Sequence, residues 1–434
     1  MLNTIIEEAE QNIKKYAEEY EIILEQSHIT QVDSQNNDLS FAKEEIIRGI
    51  GIRVLFDKKM GFAYTTDMNQ IEDTAKKAYL NAKLNEKDEH FSFAQKTDYP
   101  KIKDKVDKKN KDLDLDEITS FMKNILNTVN DNECAPTSGE FSKSYSQEII
   151  LNSNGVYVED EGTYFGAYVS VNAEKDGELS SAYDVISSRN YDELNGEKLA
   201  NDVSSLARDS IGGVKVDTED TNVVLDYHAA IGILSTFISG FSGESVERGR
   251  SVLGDKVGEV IVNENLSIYD DGTYNGGNRS SKADSEGTAS QRTELVKDGV
   301  LKNFIYDIYN ANKANKKSTG NGFRNFSSTP SVGLSNLIFD FKDTESFEDI
   351  NKGVLATNVL GAHTANPITG DFSLEVSNGF IINDGERDSP VRKAMISGNV
   401  YDILKKCNAI DSEIKQYGSF IIPKIVLPDL RVIG

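Results

Sequence analysis

The 434-residue sequence is short of the residues that usually carry chemistry: it has two cysteines and four histidines. Cys134 and Cys407 lie far apart, which excludes a disulfide framework and fits a reducing, cytoplasmic compartment. None of His28, His90, His228 and His363 pairs with another at the spacing of an H-E-x-x-H zinc helix. His228, two residues after Asp226, is half a ligand set that a distant His363 would complete, although a lone histidine at a helix start is more often a capping or surface residue. Basic charge is also scarce. Lys and Arg number 47 against 71 Asp and Glu, a net charge of −24. Such a surface repels phosphate backbones and anionic lipid, so no nucleic-acid or membrane partner is expected. Lys101 to Lys111 is rich in lysine but broken by aspartates, and reads as a solvated loop. No apolar run approaches the roughly 20 residues that span a bilayer, and the opening MLNTIIEEAEQNIKKYAEEYEIILEQ is acidic and amphipathic, unlike a signal peptide.

Familiar catalytic strings are missing too. Gly240-Phe241-Ser242-Gly243 lacks the final spacing of a nucleophile elbow. Neither Gly49-Ile50-Gly51 nor Gly320-Asn321-Gly322 completes a phosphate-binding loop. Asp112 to Asp116 lacks the glycine and distal glutamate of a calcium loop.

The length implies two domains, placed at residues 1–217 and 218–434. The pattern predicts an α+β chain with an N-terminal helix and antiparallel-sheet domain and a β-rich, barrel-like C-terminal domain. Residues 2 to 19 read as a helix with Ile5, Ile6, Ala9 and Ile13 on one face. Glu21–Glu25 and Ile29–Asp33 read as two short strands. Arg48–Asp57 and Phe62–Thr65 form a hairpin, and Asp67 caps a helix carrying Ile71, Ala75, Ala78 and Ala82. Residues 86–114 are a long connection, and Leu115–Val129 is helical. Asn154-Gly155, Asp176-Gly177, Asp298-Gly299 and Asp384-Gly385 sit between strand-like runs, the first two as hairpin turns of type I′. Asp192–Ile211 reads as a helix, and Ile396–Cys407 as a short helix. The tail from Ser419 reads as apolar strands.

The central stretch, Thr221 to Ser251, is a buried strand at Val223-Val224-Leu225, then a helix capped by Asp226 with Ile231, Leu234 and Ile238 on its apolar face. A strand feeding a helix is a common home for catalytic groups, yet Ser235, Thr236, Ser239 and Gly240 supply none.

Taken as strings, the motifs say more. Arg48-Gly49-Ile50-Gly51-Ile52-Arg53-Val54 is followed by Gly61-Phe62-Ala63-Tyr64-Thr65. Ser239 to Val246, Asp284-Ser285-Glu286-Gly287, Lys297-Asp298-Gly299, Ser318-Thr319-Gly320, Ile368 to Ser373, Ile396 to Asn399 and Val432-Ile433-Gly434 then occur in order. This ordered set resembles the TldD/PmbA family, also called modulators of DNA gyrase, over nearly the whole chain. The resemblance implies two branches. A TldD-type subunit holds zinc or another divalent metal on an H-E-x-x-x-H helix with a later cysteine. A PmbA (TldE) type lacks these and pairs with it as the other half of a cytosolic metalloprotease. Here the three motif positions fall at Ser235, Thr236 and Gly240, and no cysteine follows Tyr417. The resemblance therefore implies a PmbA-like, non-catalytic subunit without a metal of its own, partnered by a TldD-like subunit as a heterodimer, or homodimeric, and acting on unfolded peptides. Ser239 and the string Asp284, Ser285, Glu286 and Gly287 are its candidate groove or interface residues. Two other readings stay open: a homodimeric metallopeptidase whose metal sits on scattered groups such as His228 and His363, and a non-enzymatic regulatory binding protein.

Overall fold

The computed structural model describes residues 2–434. The N-terminal half is a six-stranded antiparallel sheet with helices on one face. Its elements in order are α1 (Leu2–Ile13), β1 (Glu19–Gln35), β2 (Asp38–Phe56), β3 (Lys59–Thr65), α2 (Ile71–Leu84), α3 (Leu115–Asp131), β4 (Ala135–Asn152), β5 (Tyr157–Lys175), β6 (Glu178–Ser188) and α4 (Gly196–Asp209). The spatial order is β3-β2-β1-β4-β5-β6. Period-two alternation puts Ile22, Leu24 and Val32 of β1 on one face. There α1 and α2 cover the first two, and α3 and α4 cover the third. Glu21, Ile23 and Glu25 point to the other face, where Ile23 packs with Ala283 and Ile308 of the C-terminal half.

The C-terminal half is a β-barrel with an extended flank. It comprises β7 (Glu219–Leu225), α5 (Tyr227–Ile238), β8 (Leu266–Asp271), β9 (Arg292–Lys297), β10 (Leu337–Phe341), β11 (Lys352–Leu360), β12 (Asp371–Asn383), β13 (Glu386–Pro390), β14 (Met395–Asn399), β15 (Asn408–Tyr417) and β16 (Phe420–Ile433). β7 pairs with β11, β11 with β12, β12 with β14, β14 with β16, and β16 returns to β7, which closes the ring. β16 is the hub, since it also carries β10 and β15. It passes Pro428 by a register shift between Leu427 and Leu430 against β7, so the missing donor falls at a bulge. Ala229, Ala230, Ile233, Leu234 and Phe237 of α5 enter the barrel core.

The α+β reading with a barrel-like second half stands, and several elements are corrected. Glu21–Glu25 and Ile29–Asp33 are one strand, because the polar residues between them lie on a long sheet that continues without a break. The helices reach only Ile13 and start only at Gly196. Asp67 caps a single 3-10 turn at Met68–Gln70 rather than α2 itself. Ile396 belongs to β14, and only Val400–Ile403 is helical, because Asn399 caps there. At Asn154-Gly155 only the glycine has a positive φ, so the turn is not type I′; Asn152 Oδ1 instead accepts from Asn154 N and Val156 N. Asp176-Gly177, Asp298-Gly299 and Asp384-Gly385 are left-handed at both residues, as type I′ requires. On α5, Ile231 and Ile238 are only half-buried, because a helix apolar nearly all round gives spacing no face to choose. The lysine-rich connection is not wholly solvated: Lys105 is buried against Asp160, and burial lowers the pKa of its ammonium.

Close approach fixes the seat of α2. A Cβ on Gly61 would lie 2.0 Å from the Ala78 carbonyl oxygen and 2.3 Å from Ala82 N, both backbone atoms. Gly61→Ala therefore pushes the helix off β3, and a loss of about 3 kcal/mol is expected in urea unfolding. Gly177→Ala, at φ 80° with open space around it, should cost only about 1 kcal/mol. Equal losses would refute this account of the packing.

Candidate functional site

Helix α5 follows β7 because Asp226 ends the strand and its side chain accepts from Tyr227 N at 2.8 Å. Ser235 is exposed and its Oγ donates back to the Ile231 carbonyl at 2.6 Å. Thr236 is buried. Ser239 Oγ donates to the carbonyls of Thr236 and Pro367, tying the helix end to the 361–370 loop. At Gly240 a Cβ would sit 2.9 Å from Tyr401 Oη and 3.2 Å from Leu253 Cδ1. A histidine does not fit there without displacing core. These positions offer a metal neither imidazole, carboxylate nor thiolate. Cys407 cannot substitute: it is fully buried, its Sγ faces the Leu404 carbonyl, and burial pushes its thiol pKa up to about 12. Among the described residues no group of three or more His, Cys, Asp and Glu is arranged to hold a metal ion.

His228, the second residue of α5, is engaged elsewhere. Its Nε2 lies 2.7 Å from Asp184 Oδ1 on β6, and its ring packs between Tyr183 and Tyr417, with centroids at 5.6 and 4.6 Å. The group lines a cleft of about 560 Å³ between β6, α4 and the barrel. His363 is on a separate 3-10 turn, Ala362–Thr364.

The string Asp284–Gly287 lies in the contact between the two halves. Glu286 Oε1 accepts from Arg53 Nη1 and Nη2 at 3.3 and 3.2 Å, and its Oε2 accepts from Ile308 N at 2.8 Å. Arg53 Nη2 is 2.7 Å from Glu21 Oε1, and Arg324 binds the same oxygen. Arg324 Nε also donates to the Ser285 carbonyl, and Phe326 N donates to Glu25 Oε2 at 2.9 Å. Asp284 accepts from the backbone N–H groups of Glu286, Thr288 and Gly322 and so shapes the turn. Gly287 is left-handed at φ 79°, and its carbonyl accepts from Tyr99. Burial raises the pKa of Glu286 to about 7; Arg53 pulls against it, and Glu21 and Asp307 reinforce it. Burial likewise holds Asp284 well above the carboxylate range, and it lowers Arg324 to about 10. Glu21 and Arg324 escaped sequence reading. For Glu21 the available signal was a charge set among Tyr20, Ile22, Ile23 and Leu24, the apolar run of β1.

With this geometry in place, comparison with known proteins is informative. Models of the PmbA/TldA metallopeptidase match in three parts: domain 1 at residues 20–82, the central domain at 108–211 and the C-terminal domain at 218–434. The chain belongs to the PmbA/TldD family. An uncharacterised protein of Methanocaldococcus jannaschii is 36% identical over 94% of this chain and 95% of its own. A protein of the same organism named a metalloprotease is 25% identical over 85% of this chain and 84% of its own. The crystal structure of TldE from Thermococcus kodakarensis is similar with a TM-score of 0.93 at 25% identity, covering 99% of this chain and 100% of that one.

Two outcomes are expected of the buried charges in this family member. Arg53→Met strands Glu286 and leaves Glu21 to Arg324 alone, and should cost about 3–5 kcal/mol by denaturant unfolding. Because Glu286 titrates higher folded than unfolded, the folded chain holds its proton more tightly. The stability this confers is complete below about pH 4.5 and is lost as pH rises through about 7. Glu286→Gln should flatten the pH dependence of unfolding in that window, and an unchanged slope would refute the assignment.

Proposed function

We propose that this chain is the PmbA/TldE-type, non-catalytic subunit of a metallopeptidase that acts on unfolded peptides. The observation that carries the reading is the surface of α5: Ser235 points to solvent, Thr236 into the core, and Gly240 against Tyr401. These groups provide no general base and no metal ligand. Likeness to TldE along essentially the full length supports the same branch. Zinc or another divalent metal then belongs to a TldD-type partner, and this chain closes the chamber. Residues 1–217 and 218–434 are taken as its two structural units. Substrate would be held in extended form by backbone hydrogen bonds to a strand edge, which gives affinity with little sequence preference. Ser239 and the 361–370 loop it anchors would face the chamber, whereas Asp284 to Gly287 would set the relative position of the two halves. The His228 and Asp184 contact is read as a brace between β6 and α5.

The test combines elemental analysis with a peptidase assay on an unfolded polypeptide, for the chain alone and mixed with a TldD-type subunit. The expected result is no stoichiometric metal and no cleavage alone, with metal-dependent cleavage in the mixture. One metal ion per chain with unaided cleavage would overturn the proposal.

A further inference from the structure

The cleft between β6, α4 and the barrel, about 560 Å³, holds more charge than the contact of His228 with Asp184 uses. Its volume lies in the range of small-molecule sites. Tyr227, the first residue of α5, lines it and is buried. Lys415 of β15 and Lys424 of β16 both place their ammonium groups over that ring, 4.6 and 5.8 Å from its centroid. Neither lysine is in an ion pair among the described residues, although acidic residues outnumber basic ones 71 to 47.

Carboxylates of the same cleft are unpaired too. Asp226 accepts from Tyr227 N and Asp411 from Phe347 N, and neither is in an ion pair with a basic side chain among the described residues. Burial first, then the charges of Glu413, Asp226 and Asp411, raise the pKa of the Tyr227 phenol, so these carboxylates act on the ring that carries the lysines. A bulge brings Asp411 there: β15 shifts register against β16 between Ile410 and Ile414, and Asp411 is left-handed at φ 57°. The remaining charges of the cleft are taken. Asp184 meets His228, Asp202 meets Lys198 and Arg387 meets Asp209.

Two cations and two carboxylates thus stand around one ring without neutralising each other. The ammonium groups repel, and an anion set between them relieves that repulsion. The carboxylates call for a donor. A bare phosphate would meet the aspartates, and a bare cation would meet the lysines. The ligand that satisfies both carries both signs. Because the protein's charges face one ring, the ligand's own charges must lie close together, as they do on a single α-carbon. The rings of Tyr183, His228 and Tyr417 add a wall for an apolar or aromatic side chain.

We infer that this cleft binds a free α-amino acid with an apolar or aromatic side chain, its carboxylate on Lys415 and Lys424 and its ammonium on Asp226 and Asp411. The binding does not depend on which subunit holds a metal. A free amino acid is the last product of peptide hydrolysis, and only this consequence, that the site reads product, rests on the proposed function.

The test is calorimetric titration of the full chain at low salt with phenylalanine, phenylalaninamide, N-acetylphenylalanine, the dipeptide alanylphenylalanine and inorganic phosphate. Phenylalanine should bind saturably, and blocking either of its charges should weaken it about tenfold. Lys415→Gln combined with Lys424→Gln should weaken phenylalanine by about the same factor and leave the amide unchanged. Asp226→Asn keeps a capping side chain on α5; it should weaken phenylalanine and leave the N-acetyl compound unchanged. Lys405→Gln, at an exposed site outside the cleft, should change nothing. The inference is overturned if phenylalanine does not bind saturably, if the amide binds as well as the acid, or if the cleft variants behave like Lys405→Gln. Tighter binding of phosphate would make this an anion site, and tighter binding of the dipeptide would make it a peptide groove; either result overturns it too. Intact phenylalanine binding in a chain that proves to cleave polypeptide unaided would overturn the proposed function and leave this inference standing.

Discussion

Arg53 and Arg324 carry two guanidinium groups into the contact between the N-terminal sheet and the C-terminal half, and one oxygen of Glu21 serves both. Taking such charges out of water costs several kcal/mol each, and only close, directed pairing offsets it. That makes the cluster a poor source of net stability and a strong source of register. If the C-terminal half slid by one residue, Glu286 would leave Arg53, Phe326 N would leave Glu25, and buried charge would be stranded. Phe326 adds a steric constraint of the same kind: its ring occupies the space where Gly49 lacks a Cβ, and its carbonyl the space beside Gly51. The two glycines and Arg53 alternate on one face of β2, so the strand offers the second half a shallow seat followed by a charge.

This alternation explains why the string from Arg48 to Val54 is so recognisable. Gly49 and Gly51 make room, Arg53 pairs, and Ile50, Ile52 and Val54 face α1 and α2. The Asp284–Gly287 string is the other side of the same contact. Asp284 folds the turn on itself, Glu286 reaches Arg53, and Gly287 takes a left-handed backbone against Val156 and Ile150, where a Cβ has no space. Two strings more than two hundred residues apart are thus one structural device.

How much could be read from the sequence follows from which forces are local. Helix α2, the three type I′ turns and the apolar runs of the tail are set by near neighbours, and their residues announce them. The barrel is only half legible. Its strands show as apolar runs, but nothing in β16 itself says that it will pair with β7, β10, β14 and β15 along its length. The long strands β1 and β2 were fragmented because Gln26 to Thr30 and Lys43 to Arg48 are polar. Polar side chains there, buried at Gln26 and Thr30 and exposed at His28, interrupt the apolar alternation. At the candidate site, Glu21 and Arg324 were not legible, since a buried charge looks like a solvated one until its partner is placed.

The surface of α5 connects these points to function. Here the helix has been given over to packing. Ala229, Ala230, Ile233 and Phe237 fill the barrel, Gly232 lets Val359 approach, and Gly240 makes room for Tyr401. A side chain at Gly240 would meet the hydroxyl of Tyr401, whose ring packs on Phe237. The barrel this helix fills is held in register with the N-terminal sheet by the buried arginines.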